Sequence, residues 1–340
     1  MRKDENMKNY DESWFSFRDI EAAYKAISPY VRETPLEEAF YLGGKSGLYG
    51  LPESRYFYKL ESFQRAKSFK IRGAMNKMLS LSPEEREKGI ATISSGNHGS
   101  SVSYAASLLG IKNAVVIVPK TAPKSKVERI KYFGAEVLQL GNNYDEAHAE
   151  GMKYIEERGM VYIDAYYDDP RIYAGQGTIG IELLKENPDI DTIVCPIGGG
   201  GLITGIAMAV KAFKPEIRIF GVQTEACPAM AASFRENVFY EEYPVTGDTV
   251  CDALVGGVGA LSYARLRPLI EEVLVVSEAA IRRAVAFMAK EEKFIVEGGS
   301  AAAAAAVMEM PEKIGGKNIA LILSGGNIDG ELLSGILNED

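Results

Sequence analysis

Cysteine is scarce in this 340-residue chain and badly spaced for joint work. Cys195, Cys227 and Cys251 form an odd set without a C-x-x-C pair, so neither a disulfide framework nor a zinc site is indicated. An excess of positive charge is missing too. Lys and Arg number 38 against 47 Asp and Glu, a net charge of −9, which argues against a general nucleic-acid binder. No apolar run reaches the roughly 20 residues needed to cross a bilayer. The polar stretch from Met1 to Trp14 lacks the apolar centre of a signal peptide. A cytoplasmic protein is the expectation. What remains is ordinary globular composition, 46% apolar and 25% charged, in a chain long enough for two lobes. Low-complexity sequence is confined to Ala301–Ala306, which reads as a closely packed buried helix.

Strand and helix signals alternate along most of the chain. Ser16 to Ile27 reads as an amphipathic helix, and the stretch after it, with Pro29, Pro35 and Gly43-Gly44, as a loop. Gly44-Lys45-Ser46 is not a P-loop, because Ala39 stands where that motif needs its first glycine. Tyr56–Leu60 is a strand candidate, followed by a helix containing Lys70 that runs to about Leu81. Strands at 90–93, 114–118, 136–140 and 161–164 alternate with helices at 100–109, 124–133 and 145–158. A second set places strands at 192–196, 217–223, 273–276 and 319–323 among helices at 172–185, 202–213, from 228, 278–291 and from 300. Connections this long exclude hairpins and predict an α/β fold of two lobes, each a mainly parallel sheet flanked by helices. The Lys70 segment lies between the lobes, and the irregular stretch Phe239–Tyr263 is expected to form loops near a site.

Four stretches carry chemistry. In Ser68-Phe69-Lys70-Ile71-Arg72-Gly73-Ala74 a lysine sits among apolar neighbours, where loss of water disfavours its charged form and leaves a nucleophilic amine. Gly198-Gly199-Gly200-Gly201 stands between a strand and a helix, where glycines let an anion approach free N–H groups and a helix N-terminus. A dinucleotide loop is the competing reading. Its G-x-G-x-x-G spacing fails at Ile203, but the looser Gly199-x-Gly201-x-x-x-Gly205, with Glu225 beyond the next strand, keeps a nicotinamide dehydrogenase open. Ser94-Ser95-Gly96-Asn97-His98-Gly99 is a second strand-to-helix turn, rich enough in hydroxyl and amide groups to hold a carboxylate; the bland alternative is an N-cap. Ser324-Gly325-Gly326-Asn327 follows an apolar strand, where α/β folds place ligands.

Taken in order with Glu297-Gly298 and with Leu202 after the glycines, these motifs resemble the fold-type II pyridoxal-phosphate enzymes, in the serine/threonine dehydratase and serine racemase branch. The resemblance runs from about Ser16 to the end. It implies a tryptophan-synthase-β-like fold, with a large cofactor domain (1–82 and 166–340) and a small substrate-side domain (83–165). It further implies that Lys70 holds pyridoxal 5'-phosphate as a Schiff base and serves as base at Cα, with Phe69 beside the ring. Asn97 would bond the ring's 3′-oxygen, Gly198, Gly199, Gly200, Gly201 and Leu202 the phosphate, and Ser324 the pyridine nitrogen, with Glu297 in the cofactor site. Ser94, Ser95, Asn97 and His98 would hold the substrate, Ser95 either at its carboxylate or facing Cα opposite Lys70.

The implied reaction is β-elimination from a β-hydroxy amino acid such as L-threonine or L-serine, giving a 2-oxo acid and ammonia. A serine at the ring nitrogen favours expulsion of a β-leaving group over transamination. An amino-acid racemase is the nearest rival, and a non-catalytic phosphate-ligand sensor the most distant. A dimer or tetramer is expected by resemblance. Three departures stand out. Ala66-Lys67 replaces a small pair such as Thr-Gly, and Lys67 either faces the substrate or points to solvent. Gln223 and Ala229 stand where some relatives have cation-binding carboxylates, so no metal site is expected. Asp252-Ala253 replaces an Asp-Gly pair. The chain also ends soon after Ser324, so a C-terminal regulatory domain is not expected.

Overall fold

A computed structural model describes residues 10–43 and 47–339, so Gly44-Lys45-Ser46 lies outside the described residues. Among the described residues, ten strands form two sheets. The first contains β1 (Leu36–Gly43), β2 (Arg55–Leu60), β7 (Thr192–Pro196), β8 (Arg218–Thr224), β9 (Glu272–Val276) and β10 (Asn318–Leu323), in the order β1-β2-β10-β7-β8-β9. Only β1 runs antiparallel, against β2. The second sheet is wholly parallel, in the order β5-β4-β3-β6, from β3 (Ile90–Ile93), β4 (Ala114–Val118), β5 (Glu136–Gln139) and β6 (Val161–Tyr162).

The alternation reads through because the central strands are buried along their length. All residues of β3, β4 and β7 are buried, as parallel strands covered by helices on both faces require. The alanine run lies within the helix Gly298–Glu309, with Gly298 to Val307 all buried. Short side chains let that helix lie close to β7, β8, β9 and β10. Among the described residues no helix is long and apolar enough to cross a membrane.

Several boundaries move. The Lys70 helix is Lys70–Leu79, ending before Pro83 opens a short helix, Pro83–Lys88, capped by Ser82. The helix expected from Ser100 begins at Asn97, so half of the Ser94–Gly99 turn is helical. β6 stops at Tyr162, and the next residues leave the sheet. β1 occupies what reads as loop in the sequence. Its exposed Glu37, Glu38 and Phe40 give no core-facing alternation, and it is held by pairing to β2.

Candidate active site

A cavity of about 700 Å³ opens where the two sheets meet, walled by residues of both. It lies at the C-terminal ends of β3, β7 and β10, the usual ligand edge of parallel sheets. Four helices start there: Lys70–Leu79, Asn97–Leu109, Gly201–Phe213 and Gly298–Glu309. Their N-cap residues, Phe69, Gly96, Gly200 and Glu297, all line the cavity. Each helix N-terminus presents N–H groups without intrahelical acceptors and about half a positive charge. This wall suits anions.

Lys70 is half-buried in it, and Nζ donates to the carbonyl oxygen of Ala165 at 3.1 Å. Burial lowers its pKa to about 8, against the opposing pull of Asp164. The rings of Phe69 and Tyr166 stand 5.3 and 5.7 Å from the amine. The segment is stitched to the loop after β10: Phe69 N–H donates to Ser324 O (3.0 Å), and Gly326 N–H to Lys67 O (2.9 Å). That stitching places the Ser324 side chain in the same cavity wall as Lys70.

Across the cavity, Gly200 adopts φ +98°, the left-handed region open to glycine. A Cβ on Gly199 would stand 1.9 Å from the Tyr166 ring, so a side chain there cannot coexist with that tyrosine. The backbone therefore faces the cavity bare from Gly198 to the start of the helix at Gly201.

The Ser94–His98 turn also lines the cavity. Asn97 is held on both sides: Nδ2 donates to Glu297 Oε1 (2.6 Å), and Oδ1 accepts from Asn327 Nδ2 (2.6 Å). Burial, then the charge of Asp252, pushes the Glu297 carboxyl up to about 7, although bonds from Asn97 and Asn327 oppose this. His98 is buried, with Nε2 bonded to the Ile163 carbonyl at 2.9 Å. Burial and the Lys70 charge push its pKa down to about 3, so its ring is neutral.

Residues 27–325 match the family described as pyridoxal-phosphate dependent enzyme. The chain belongs to that family. It is 36% identical to the L-threonine ammonia-lyase of Thermotoga maritima over 328 residues, covering 95% of this chain and 78% of that protein. Among solved structures, maize serine racemase superposes with a TM-score of 0.84 at 33% identity, over 95% of this chain and 96% of that one. The processed form of threonine deaminase isoform 2 from Solanum lycopersicum gives 0.82 at 32%, over 94% and 86%.

The wall fits the family's cofactor. Glycines at a helix N-terminus suit its phosphate, and a half-buried amine with a lowered pKa suits its aldehyde. One buried acceptor in the same wall, Asn327 Oδ1, has no hydrogen-bond partner within the protein. Membership in this family removes the nicotinamide reading, and Glu225 is engaged elsewhere. It is exposed, and its Oε1 accepts from Glu278 N–H (2.8 Å) at a helix start away from the cavity.

Lys67 resolves physically. It is exposed, absent from the cavity wall, and sits at φ +60°. A small residue suits this position because the backbone is left-handed, which costs a side-chain-bearing residue about 1–2 kcal/mol. Lys67→Gly is therefore expected to stabilise the protein by about 0.5–1 kcal/mol in denaturant unfolding, after the added freedom of the unfolded chain is subtracted. Substrate preference should stay unchanged. A changed preference would show that the ammonium reaches the substrate. Gln223 is likewise committed to structure, since Oε1 accepts from Met230 N–H (2.9 Å) and Ala231 N–H (3.0 Å) and so caps the helix Ala229–Glu236.

Sequence reasoning assigned no role to Asn327, Asp164, Tyr166, Lys126 or Arg129. Asn327 has a sequence signal as the last residue of Ser324-Gly325-Gly326-Asn327. Lys126 pairs with Asp252 at the cavity, joining the helix Lys124–Tyr132 to the irregular loop of the other sheet's lobe. Only the fold brings these together.

Proposed function

We propose that this protein is an ammonia-lyase that converts L-threonine, L-serine or a related β-hydroxy amino acid into a 2-oxo acid and ammonia. The observation that carries the reading is the convergence of Lys70, the glycine loop, the Ser94–His98 turn and Ser324 on one cavity, in a chain resembling an L-threonine ammonia-lyase. Pyridoxal phosphate supplies the electron sink. The N–H groups from Gly198 to Leu202 would hold its phosphate, and Phe69 would flank its ring. Asn97, its amide held by Glu297, would serve the ring's oxygen substituent, and Ser324 would serve the ring nitrogen as an uncharged partner. The substrate carboxylate goes to the N-terminus of Asn97–Leu109, with Ser94, Ser95 and Asn97 as donors and His98 as a neutral neighbour. Lys70 would be the residue that holds the cofactor through its aldehyde, and its free Nζ would take the Cα proton.

The division into a large domain (1–82 and 166–340) and a small one (83–165) belongs to this reading, as do cytoplasmic location and a homo-oligomeric state. Sheet membership supports the division, since β3 to β6 all fall within 83–165. Racemisation is the second reading, favoured by Ser95 lining the cavity with Lys70 and by the match to serine racemase. A panel of β-hydroxy amino acids tests both, scored for 2-oxo acid, ammonia and the D-enantiomer. Equimolar 2-oxo acid and ammonia from L-threonine or L-serine is expected. D-serine outpacing pyruvate would reverse the assignment, and neither product from any substrate would remove it.

A further inference from the structure

The strap that leaves β6 runs between the two sheets and touches the site repeatedly. The Ile163 carbonyl takes the His98 bond, the Ala165 carbonyl takes Lys70 Nζ, and the Tyr166 ring lies against Gly199. Between these stands Asp164, which the reaction as described does not use. Its Oδ1 accepts from the backbone N–H groups of Tyr166 (2.7 Å) and Tyr167. The carboxylate thus makes the turn that aims the Ala165 carbonyl at the lysine, and places a negative charge one residue from that contact.

We propose that Asp164 is a positioning residue for Lys70: its carboxylate holds the free amine in the ammonium form, and so sets the pH at which the protein captures its cofactor. The inference rests on Lys70 being the attachment point. Condensation forms the C=N bond from a neutral amine and the cofactor's aldehyde, and releases one water; an ammonium has no lone pair to give. Burial lowers the Lys70 pKa and Asp164 raises it, so the two work in opposition. Burial raises the Asp164 pKa and the charge of Asp168 adds to this, while the N–H groups of Tyr167 and Tyr166, and then the charge of Lys70, pull it down.

The other groups facing the amine do not duplicate this charge. His98 is neutral, and burial raises the Tyr166 hydroxyl so that it stays protonated. Tyr144, at the cavity wall, is raised as well. Across the cavity the charges divide between Lys126, Arg129, Asp145, Asp252 and Glu297, of which Lys126 and Asp252 pair with each other.

Asparagine separates charge from shape, because its amide oxygen can still accept the two turn bonds. Cofactor-free protein is mixed with pyridoxal 5'-phosphate, and the association rate is read from the visible band across pH. The wild-type rate should rise with pH and level near pH 8 as Lys70 loses its proton. In Asp164→Asn it should level at lower pH, and at about pH 6.5 exceed wild type by about three- to tenfold. The cofactor's own ionisation is common to both proteins and cancels in that ratio. Asp164→Ser, with a hydroxyl acceptor and no charge, should shift the same way if the asparagine variant folds poorly, while Asp164→Glu should keep the wild-type profile. Superimposable profiles in a folded neutral variant overturn the proposal. A uniform slowing at every pH also overturns it, since that assigns Asp164 to turn geometry alone. A band surviving in Lys70→Ala instead overturns the assignment of Lys70, a distinguishable failure that removes this inference with it.

Discussion

Replacing Lys70 by alanine is expected to abolish the stable visible band of the cofactor-loaded protein and to lower 2-oxo acid release on the order of 10⁴-fold, the upper end of what one general base supplies. In the proposed reaction the lysine has two tasks, attachment and proton transfer at Cα, and methylamine added in trans can restore only part of the second. Cofactor binding should weaken without vanishing, because the substitution leaves the glycine loop and the helix N-terminus at Gly201, the proposed phosphate site, untouched. The loaded variant should therefore release the cofactor on dialysis while the native enzyme retains it. A band that persists would point to Lys126, the other lysine in the cavity wall. Its pairing with Asp252 argues against that outcome, since a paired ammonium at the cavity edge is a poor nucleophile.

The convergence of four helix starts explains how a chain of net charge −9 can present a cavity wall suited to anions. The cavity does not depend on net charge. It draws on backbone N–H groups, whose positive ends the topology points inward at the C-terminal edges of β3, β7 and β10. Lys70 begins one of those helices, so the proposed nucleophile and the helix N-termini are fixed by the same architectural device. Glu297 puts a carboxyl at a helix start, where burial and its neighbour Asp252 push it up to about 7. Its bond to Asn97 then fixes which amide face is turned to the cavity.

Much of this was legible in the sequence because it is local. Apolar runs bounded by glycines marked the parallel strands, and the loops at their ends could be read as donor-rich or bare. Lys70, Ser94 to His98, Gly198 to Leu202, Glu297 and Ser324 were all read from short motifs, and the fold brings them to one wall. What was not legible depends on partners distant in the chain. β1 is a strand because β2 offers it hydrogen bonds, while its own residues show no helpful periodicity. Asn327 reaches Asn97 across 230 positions, and Tyr166 finds Gly199 only after the strap crosses between the sheets. The Lys67 question was unanswerable without φ, since a lysine in a left-handed turn and a lysine facing a substrate look the same in one dimension.

Arg72→Met is expected to destabilise the protein by about 3–5 kcal/mol at neutral pH, the cost of leaving buried charges without their partner. Arg72 follows Lys70 by two positions on the same helix and is fully buried. Its guanidinium is bidentate twice: to Glu61 through Nε (2.8 Å) and Nη2 (2.8 Å), and to Glu182 through Nη1 (2.6 Å) and Nη2 (2.8 Å). Thr178 Oγ1 takes a further bond at 3.0 Å. Lys59, buried on β2, pairs with Glu182 at 2.9 Å and Glu186 at 2.6 Å. Burial alone would raise the Glu61 pKa, but Arg72, Lys59 and Thr34 together hold it below its ordinary value. A carboxylate with a depressed pKa stabilises the fold above its unfolded-state pKa and loses that contribution as pH falls through the folded one. The gap between native and Arg72→Met unfolding free energies should therefore narrow as the medium is acidified below the usual carboxylate range. Arg72→Lys should recover only part of the loss, because an ammonium cannot reproduce two forks. Replacing Glu61 and Arg72 together by leucine should cost less than Arg72→Met, since a nonpolar pair leaves fewer stranded charges. Urea unfolding of the four proteins at two pH values checks the set. An Arg72→Met loss below about 1 kcal/mol would mean that water or rearrangement already solvates the carboxylates, and that the helix of Lys70 is anchored by its apolar face instead.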